Sequence, residues 1–450
     1  MGRSWNERVL VGVLLARFVR ARWGYRFRSR GQFEAWQRRR LARFLKRIRR
    51  APFYADLDTE RLEGLPIVDK GTLLAQFDAL NTRGVRLADA LGVALEAERT
   101  RDFAPLVAGD LTVGLSSGTS GRRGAFLVSP RERMLWAGTI LARVLDRRSV
   151  GQLLRFWSPP VRIAFFLRAG GNLYESVASS RIRFTFHDLT EPLETHVADL
   201  DRRAAEGVGP DIVVAPASVL EALAERTRRG DLRIRPRLVI SVAEVLEPGV
   251  ADAIGAAWGT PPRQVYQATE GLLAISCAYG SLHLNEESVH VEREWLDAAH
   301  TRFTPVVTDF DRRTQIIARY RLDDVLRIDS AAPPCPCGRV TTVLAAVDGR
   351  ADAVLVLPHT SGRSLVELFP DVMRQTMAVS SDAYADWRIR QRGVDLHVSL
   401  RDTAAEAETR VHAALTALME RAGCQAAIVF DPWIAPDPTA KVRRIVRDPA

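Results

Sequence analysis

Between Phe33 and Ile48 the apolar residues Phe33, Trp36, Leu41, Phe44, Leu45 and Ile48 recur every three or four positions, which predicts an amphipathic helix. Ala51-Pro-Phe-Tyr54 ends it, because Pro52 disfavours helical backbone at the residue before it. A second helix is predicted after Asp69, whose carboxylate can cap it. In the middle of the chain the pattern changes to short, solidly apolar runs at 163–167, 211–215 and 238–242, with helical stretches at 218–229 and 248–258. Buried strands joined by crossover helices imply an α/β fold. After Gly349-Arg350 the rhythm shifts again. Strands are predicted at 354–357, 387–391, 395–400 and 426–430 and a helix at 403–422, a small α+β unit of ordinary domain size.

The chain has 450 residues, too many for one compact core, and at least two domains follow. Its formal net charge of +10 points towards nucleic acid until its distribution is considered. Residues 1–50 hold sixteen Arg or Lys and only Glu7 and Glu34, so this segment carries +14 and the other 400 residues sum to −4. With no recognisable nucleic-acid module, a nucleic-acid-binding protein is disfavoured. The apolar run at 9–19 is broken by Arg17 and is far shorter than a membrane span. It has no signal-peptide cleavage pattern, so a cytoplasmic enzyme is expected. Two readings of the segment stay open: a helical lid packed on the body, or a basic amphipathic helix making peripheral contact with anionic membranes.

The chemistry concentrates in Ser116-Ser117-Gly118-Thr119-Ser120-Gly121-Arg122-Arg123-Gly124. Glycines let the backbone turn its N–H groups on an anion and hydroxyls add donors, although a polar hairpin turn has the same composition. No Gly-Lys-Ser/Thr ends it, so it is not a Walker loop. Four more segments follow in order: Tyr266-Gln-Ala-Thr-Glu270, Tyr320-Arg-Leu-Asp-Asp324, Gly349-Arg-Ala-Asp352 and Ala440-Lys-Val-Arg-Arg-Ile445. Together the five resemble the ordered signatures of the adenylate-forming superfamily, which includes acyl-CoA synthetases, peptide-synthetase adenylation domains and luciferases. Ala51-Pro-Phe-Tyr54, Leu65-Pro-Ile-Val-Asp-Lys70 and Ser241-Val-Ala-Glu244 resemble the phenylacetate-CoA ligase group with its coenzyme-F-adenylating and capsule-biosynthesis relatives.

That resemblance implies a basic helical segment at 1–50, a large multi-sheet adenylation domain at 51–350 and a small mobile α+β lid at 351–450. It implies ATP-dependent activation of a carboxylic acid, aryl or otherwise apolar, as acyl-AMP, followed by transfer to coenzyme A. The alternative is transfer of AMP onto an acceptor without a thioester. By the same resemblance Ser116 to Gly121 grip the β- and γ-phosphates, Thr269 bonds the α-phosphate, and Glu270 holds Mg²⁺. Ala243 and Glu244 lie against adenine, Tyr266 stacks near the base or lines the acid pocket, Asp324 binds the ribose hydroxyls, and Asp352 is the hinge. Lys441 is the catalytic lysine. It is one of only three lysines beside 61 arginines, which fits a compact point charge rather than generic basicity. Trp157, Phe165, Phe166 and Tyr174 are candidates for the acid pocket or for the core.

Cys277, His283, Cys335 and Cys337 form a set of three thiols and an imidazole, suited to structural Zn²⁺ in a closed tetrahedral site. The competing reading is that each is an ordinary buried or polar residue. If metal-bound, they are expected to tie the 266–270 loop to the segment after Asp324.

Overall fold

The computed structural model describes residues 5–100, 102–115, 124–155, 157–167, 180–188, 193–350, 355–362, 365–368, 373, 376–377, 383–435 and 444–448. The expected roles of Ser116, Ser117, Gly118, Thr119, Ser120, Gly121, Tyr174, Asp352 and Lys441 fall outside these residues. The chain divides into two compact units: residues 1–294, 305–322 and 328–345 form the larger, and 295–304, 323–327 and 346–450 the smaller.

The larger unit is built on an eight-stranded sheet. Its strands include β3 (Val161–Leu167), β4 (Ile182–Asp188), β5 (Ile212–Ala215), β6 (Leu238–Val242), β7 (Arg263–Gln267), β8 (Leu272–Ser276) and β9 (Leu282–Leu284). The short strand Val343–Leu344 opens the order, followed by β9-β8-β7-β6-β5-β3-β4. Strands β4, β3, β5, β6 and β7 are parallel, and β8 and β9 turn back antiparallel. The solid apolar runs are explained by this layout, since β5 is buried throughout. Phe166 packs into the core with Val213, Leu220 and Val239, and its ring stacks on His187 at 4.4 Å. Of the two readings for Phe166, the core one holds. A separate antiparallel hairpin, β1 (Thr112–Leu115) and β2 (Ala125–Val128), carries the 116–124 loop at its tip.

Local signals set the helix ends. The predicted helix at 33–48 is α2 (Arg30–Ile48), which begins three residues earlier because Ser29 caps it by accepting from the Gln32 N–H. Asp69 caps Lys70–Ala75 through the Thr72 N–H at 2.7 Å, as expected. Helices Ala217–Arg229 and Pro248–Trp258 each end at a glycine with positive φ, Gly230 and Gly259.

The N-terminal arm packs on the body of the larger unit. Helix α1 (Trp5–Val19) lies along the helix Pro130–Val144, so closely that a side chain at Gly138 would meet the Leu14 carbonyl at 2.7 Å. Arg17, which breaks the apolar run, is buried there. It donates to Thr139 Oγ1 at 2.7 Å, to Asp311 Oδ2 at 2.8 Å, to the Tyr25 hydroxyl and to Ser288 Oγ. Arg40 on α2 takes the other oxygen of Asp311 at 2.5 Å, and Arg30 grips Glu286 with two bonds of 2.6 and 2.8 Å. Five of the basic side chains or backbone-directed arginines of this arm, Arg17, Arg22, Arg30, Arg40 and Arg47, are thus internal anchors.

The smaller unit holds a four-stranded sheet in the order Ile428–Phe430, Asp395–Arg401, Asp386–Arg392, Ile445–Arg447, together with the hairpin Leu355–Pro358 and Leu365–Leu368. The helix Ala407–Ala422 packs on it through Val411, Leu415 and Leu418. It starts four residues later than the expected 403, because the Ala404 N–H is spent on the Ala383 carbonyl and Asp402 has a left-handed φ of 48°.

Replacing Arg17 by Met leaves the buried Asp311 with half its compensation. The unfolding free energy should fall by about 3 kcal/mol, seen as a lower urea midpoint; an unchanged midpoint would show that Arg40 alone suffices.

Candidate functional site

Strands β6 and β7 run parallel and in register, Ser241 beside Gln264 and Val242 beside Val265. Both signature segments follow their C-terminal ends, the edge where open α/β sheets bind ligands. After β6 the chain makes a three-residue turn in which the Glu244 N–H bonds the Val242 carbonyl at 2.7 Å. Ala243, at its centre, has φ 63°, a left-handed conformation that costs a non-glycine residue free energy. The Glu244 carboxylate accepts from the Ser218 N–H at 2.8 Å and its hydroxyl at 3.1 Å. It therefore sits on the N-terminus of helix Ala217–Arg229, where negative charge is favoured.

After β7 comes a tighter feature. Ala268 and Gly271 exchange two backbone hydrogen bonds, 3.0 and 3.2 Å long, so Thr269 and Glu270 form the two-residue tip of the β7–β8 hairpin. Tyr266 is half-buried on β7, and Glu270 is buried. The stem of the 116–124 loop reaches this tip. A Cβ built on Gly114 of β1 would lie 2.8 Å from Thr269 Cγ2, nearer than any side chain can approach. Gly114 is what lets the hairpin close on Thr269. Two residues further along, at Ser116, the loop begins.

Behind Glu270 lies a buried charged wall that sequence reasoning missed. A Cβ at Gly271 would meet Asp309 Oδ2 at 3.1 Å. Asp309 is pushed above the usual carboxylate range by burial and by Asp311, whose backbone N–H donates to Asp309 Oδ1 at 2.7 Å. Asp311 goes the other way: burial opposes its charge, but Arg17 and Arg40 outweigh it and hold its pKa low. The next residue, Arg312, is fully buried, with its guanidinium 5.4 Å from the centre of the Trp136 ring. Glu132, also buried, accepts from the N–H groups of Arg313 and Thr314 at 2.6 and 3.0 Å. Burial works against its ionisation, and Arg312 with the backbone donors more than offsets this. The Gln315 side chain then accepts from the Leu127 N–H of β2 at 2.8 Å, tying the wall to the loop-bearing hairpin. Two signals pointed here: an arginine inside an apolar run, Arg17, and a glycine inside a strand, Gly114.

Asp324 belongs to the smaller unit, where it opens the strand Asp324–Arg327 and pairs in register with Arg350. Trp157 is largely exposed, and Phe165 meets Phe184 edge to face at 6.5 Å.

The four sulfur and nitrogen residues converge. Their ligand atoms all lie within 4.8 Å of one another. Cys277 Sγ is 3.6 Å from Cys335 Sγ, and Cys337 Sγ is 3.3 Å from His283 Nε2. Four ligands at about 2.0–2.3 Å from a tetrahedral zinc ion stand at comparable separations. His283 Nδ1 lies 3.1 Å from Thr341 Oγ1 and 3.3 Å from its carbonyl, which orients the ring with Nε2 towards the sulfurs. Burial lowers its pKa to about 4, keeping the ring neutral as a metal ligand must be. The Tyr279 and Arg339 N–H groups point at Cys277 and Cys337 sulfur. The cluster's place differs from expectation. Cys277 follows the far end of β8 from Glu270, and a five-residue strand separates them by about 17 Å. The cluster joins the β8–β9 turn to the 335–337 turn, away from the β7–β8 tip.

Neither a protein-family model nor a curated protein matches the chain by sequence. Solved structures do match. 2-Hydroxyisobutyryl-CoA ligase in its post-adenylation state with 2-HIB-AMP aligns with a TM-score of 0.63 at 19% identity, over 93% of this chain and 90% of that one. The fold is that of an adenylate-forming ligase. An open form of the same ligase with 2-HIB-AMP and CoA gives 0.53 at 18%, over 93% and 92%. A fatty acyl-adenylate ligase, from work on the E. coli and L. pneumophila enzymes, gives 0.54 at 13%, over 74% of this chain and 67% of that one. Strand β1 thus meets the β7–β8 tip at Gly114 and Thr269.

Proposed function

We propose that this protein uses ATP to activate an organic carboxylic acid as its acyl-adenylate and then passes the acyl group to coenzyme A. The observation that carries the reading is the seating of the Gly114 stem against Thr269, which supports a single phosphate-binding surface made of the glycine-rich loop and the β7–β8 tip. Two of the structures of similar fold, both of 2-hydroxyisobutyryl-CoA ligase, are complexes with 2-HIB-AMP, one of them with CoA as well, which supports the same chemistry here.

In the reaction a substrate carboxylate oxygen bonds to the α-phosphorus of ATP, and the bond from that phosphorus to the bridging oxygen of pyrophosphate breaks. Charge accumulates on phosphoryl oxygens, so the protein's task is to supply oriented donors and cations rather than a nucleophile. Backbone and hydroxyl donors of Ser116 to Gly121 would hold the β- and γ-phosphates, and the Thr269 hydroxyl would donate to the α-phosphate. Lys441 would bring its ammonium to the forming acyl phosphate. Asp324 would bind ribose, Tyr266 and the Ala243–Glu244 turn would border adenine, and Asp352 would serve as the hinge of a C-terminal lid. Glu270 would hold Mg²⁺, which when bound neutralises phosphate charge. The 1–50, 51–350 and 351–450 division is part of the same proposal. Phe165 beside Phe184 supports an apolar or aryl acid.

The test is to incubate the protein with ATP, a panel of aryl and aliphatic acids, and coenzyme A. Pyrophosphate release that depends on the acid, with a thioester product, is expected, and Lys441→Ala should reduce adenylate formation at least tenfold while leaving the circular dichroism spectrum intact. A stable adenylylated acceptor without a thioester would instead favour AMP transfer.

We further propose that Cys277, His283, Cys335 and Cys337 bind one structural zinc ion. Elemental analysis of protein purified without added metal should find about one zinc per chain, with loss of metal and a lower melting temperature in Cys335→Ser. Stable, metal-free protein would contradict this.

A further inference from the structure

Among the described residues nothing covers the outward face of α1 and of the turn that follows it. We propose that this face docks the protein on the surface of an anionic lipid bilayer. Val9, Leu15, Val19 and Trp23 are 51, 55, 53 and 45% exposed. Between them Gly12 and Ala16 are exposed as well, and the intervals of three and four place all six on one side of the helix. Leu15, Ala16, Val19, Arg20, Trp23 and Gly24 together line a shallow open depression. Single exposed apolar residues need no explanation, but a contiguous stripe marks an interaction surface.

The stripe is held outward. Arg17 on the opposite side is locked to Thr139 and Asp311, and Leu14 backs onto Gly138, so α1 cannot roll to bury its apolar face. Charge selects the occupant. From Arg8 to Arg28 the sequence carries six arginines and no acid. Arg17 and Arg22 turn inward, while Arg8, Arg20, Arg26 and Arg28 are exposed, with no carboxylate in ion-pair distance among the described residues. A second copy meeting this face would bring two arginine fringes together, which disfavours a homodimer. A bilayer with anionic headgroups suits both parts. The apolar stripe enters the headgroup boundary, Trp23 sits at the level its indole prefers, and the arginines reach phosphate through their long stems. Contact is peripheral, since among the described residues no helix is long and apolar enough to cross a membrane.

The inference is independent of the proposed chemistry and is tested without it. Full-length protein is sedimented with vesicles of phosphatidylcholine alone and of phosphatidylcholine mixed equally with phosphatidylglycerol. Binding to the mixed vesicles should be roughly tenfold tighter or more and should weaken as salt is raised. The triple variant Leu15→Ser, Val19→Ser, Trp23→Ser should lose at least tenfold of that binding with an unchanged melting temperature. Equal binding to both vesicles would overturn the proposal, as would undiminished binding by the variant. So would a wild-type dimer that the variant dissolves, which would assign the stripe to a second copy.

Discussion

The larger unit turns on one close approach, that of the Gly114 backbone to the Thr269 methyl. There a hairpin with its own small core meets the tip of the central sheet's β7–β8 hairpin. No Cβ fits at Gly114, so the contact exists only because the strand gives up a side chain at that position, and with it some strand propensity. The contact sets the strand that leads into residue 116 against Thr269, and the proposed phosphate chemistry depends on it.

Much of the surrounding structure holds that contact in place. Asp309 backs the Gly271 side of the tip, and Asp311 is pinned by Arg17 and Arg40 from two different N-terminal helices. Gln315 ties the same segment to β2. The basic N-terminal arm is thus part of the site's framework and not an appended tail. A buried ion pair brings little net stability compared with apolar packing. What Arg17 adds is a fixed register: four hydrogen bonds from one guanidinium define how α1 sits, and with it which face of α1 is inside. The same residue anchors the wall behind Glu270 and leaves the Val9–Trp23 stripe outward.

What the sequence made legible was local. Helix α2 follows from its three-and-four spacing, and the Lys70–Ala75 helix from Asp69. The parallel strands follow from their solid apolar runs, and the adenylate-forming fold from five motifs in order. What it hid depends on distant partners. The pairing of Arg17 with Asp311 spans 294 positions: Arg17 stands out by breaking an apolar run, but nothing in the sequence names its partner. The start of the 407–422 helix moved because Asp402 takes a left-handed φ and the Ala404 N–H goes to the Ala383 carbonyl, a partner that helix periodicity does not reveal. The cysteine–histidine set was legible as a set, but not as lying at the far end of β8, since strand length, not motif order, decides that distance. Of the aromatic candidates for the acid pocket, Phe166 proved to be core because its register partner on β4 is His187, which faces the same packed layer.

The most direct test of the account is acid-dependent exchange of labelled pyrophosphate into ATP by Gly114→Ala, alone and combined with Thr269→Ser. The added methyl should push Thr269 away and lower exchange by at least tenfold. Serine keeps the hydroxyl but removes the Cγ2 methyl that the new Cβ would meet, so the double variant should recover most of the activity. Full exchange by Gly114→Ala, or no recovery in the double variant, would contradict a phosphate surface built on this contact.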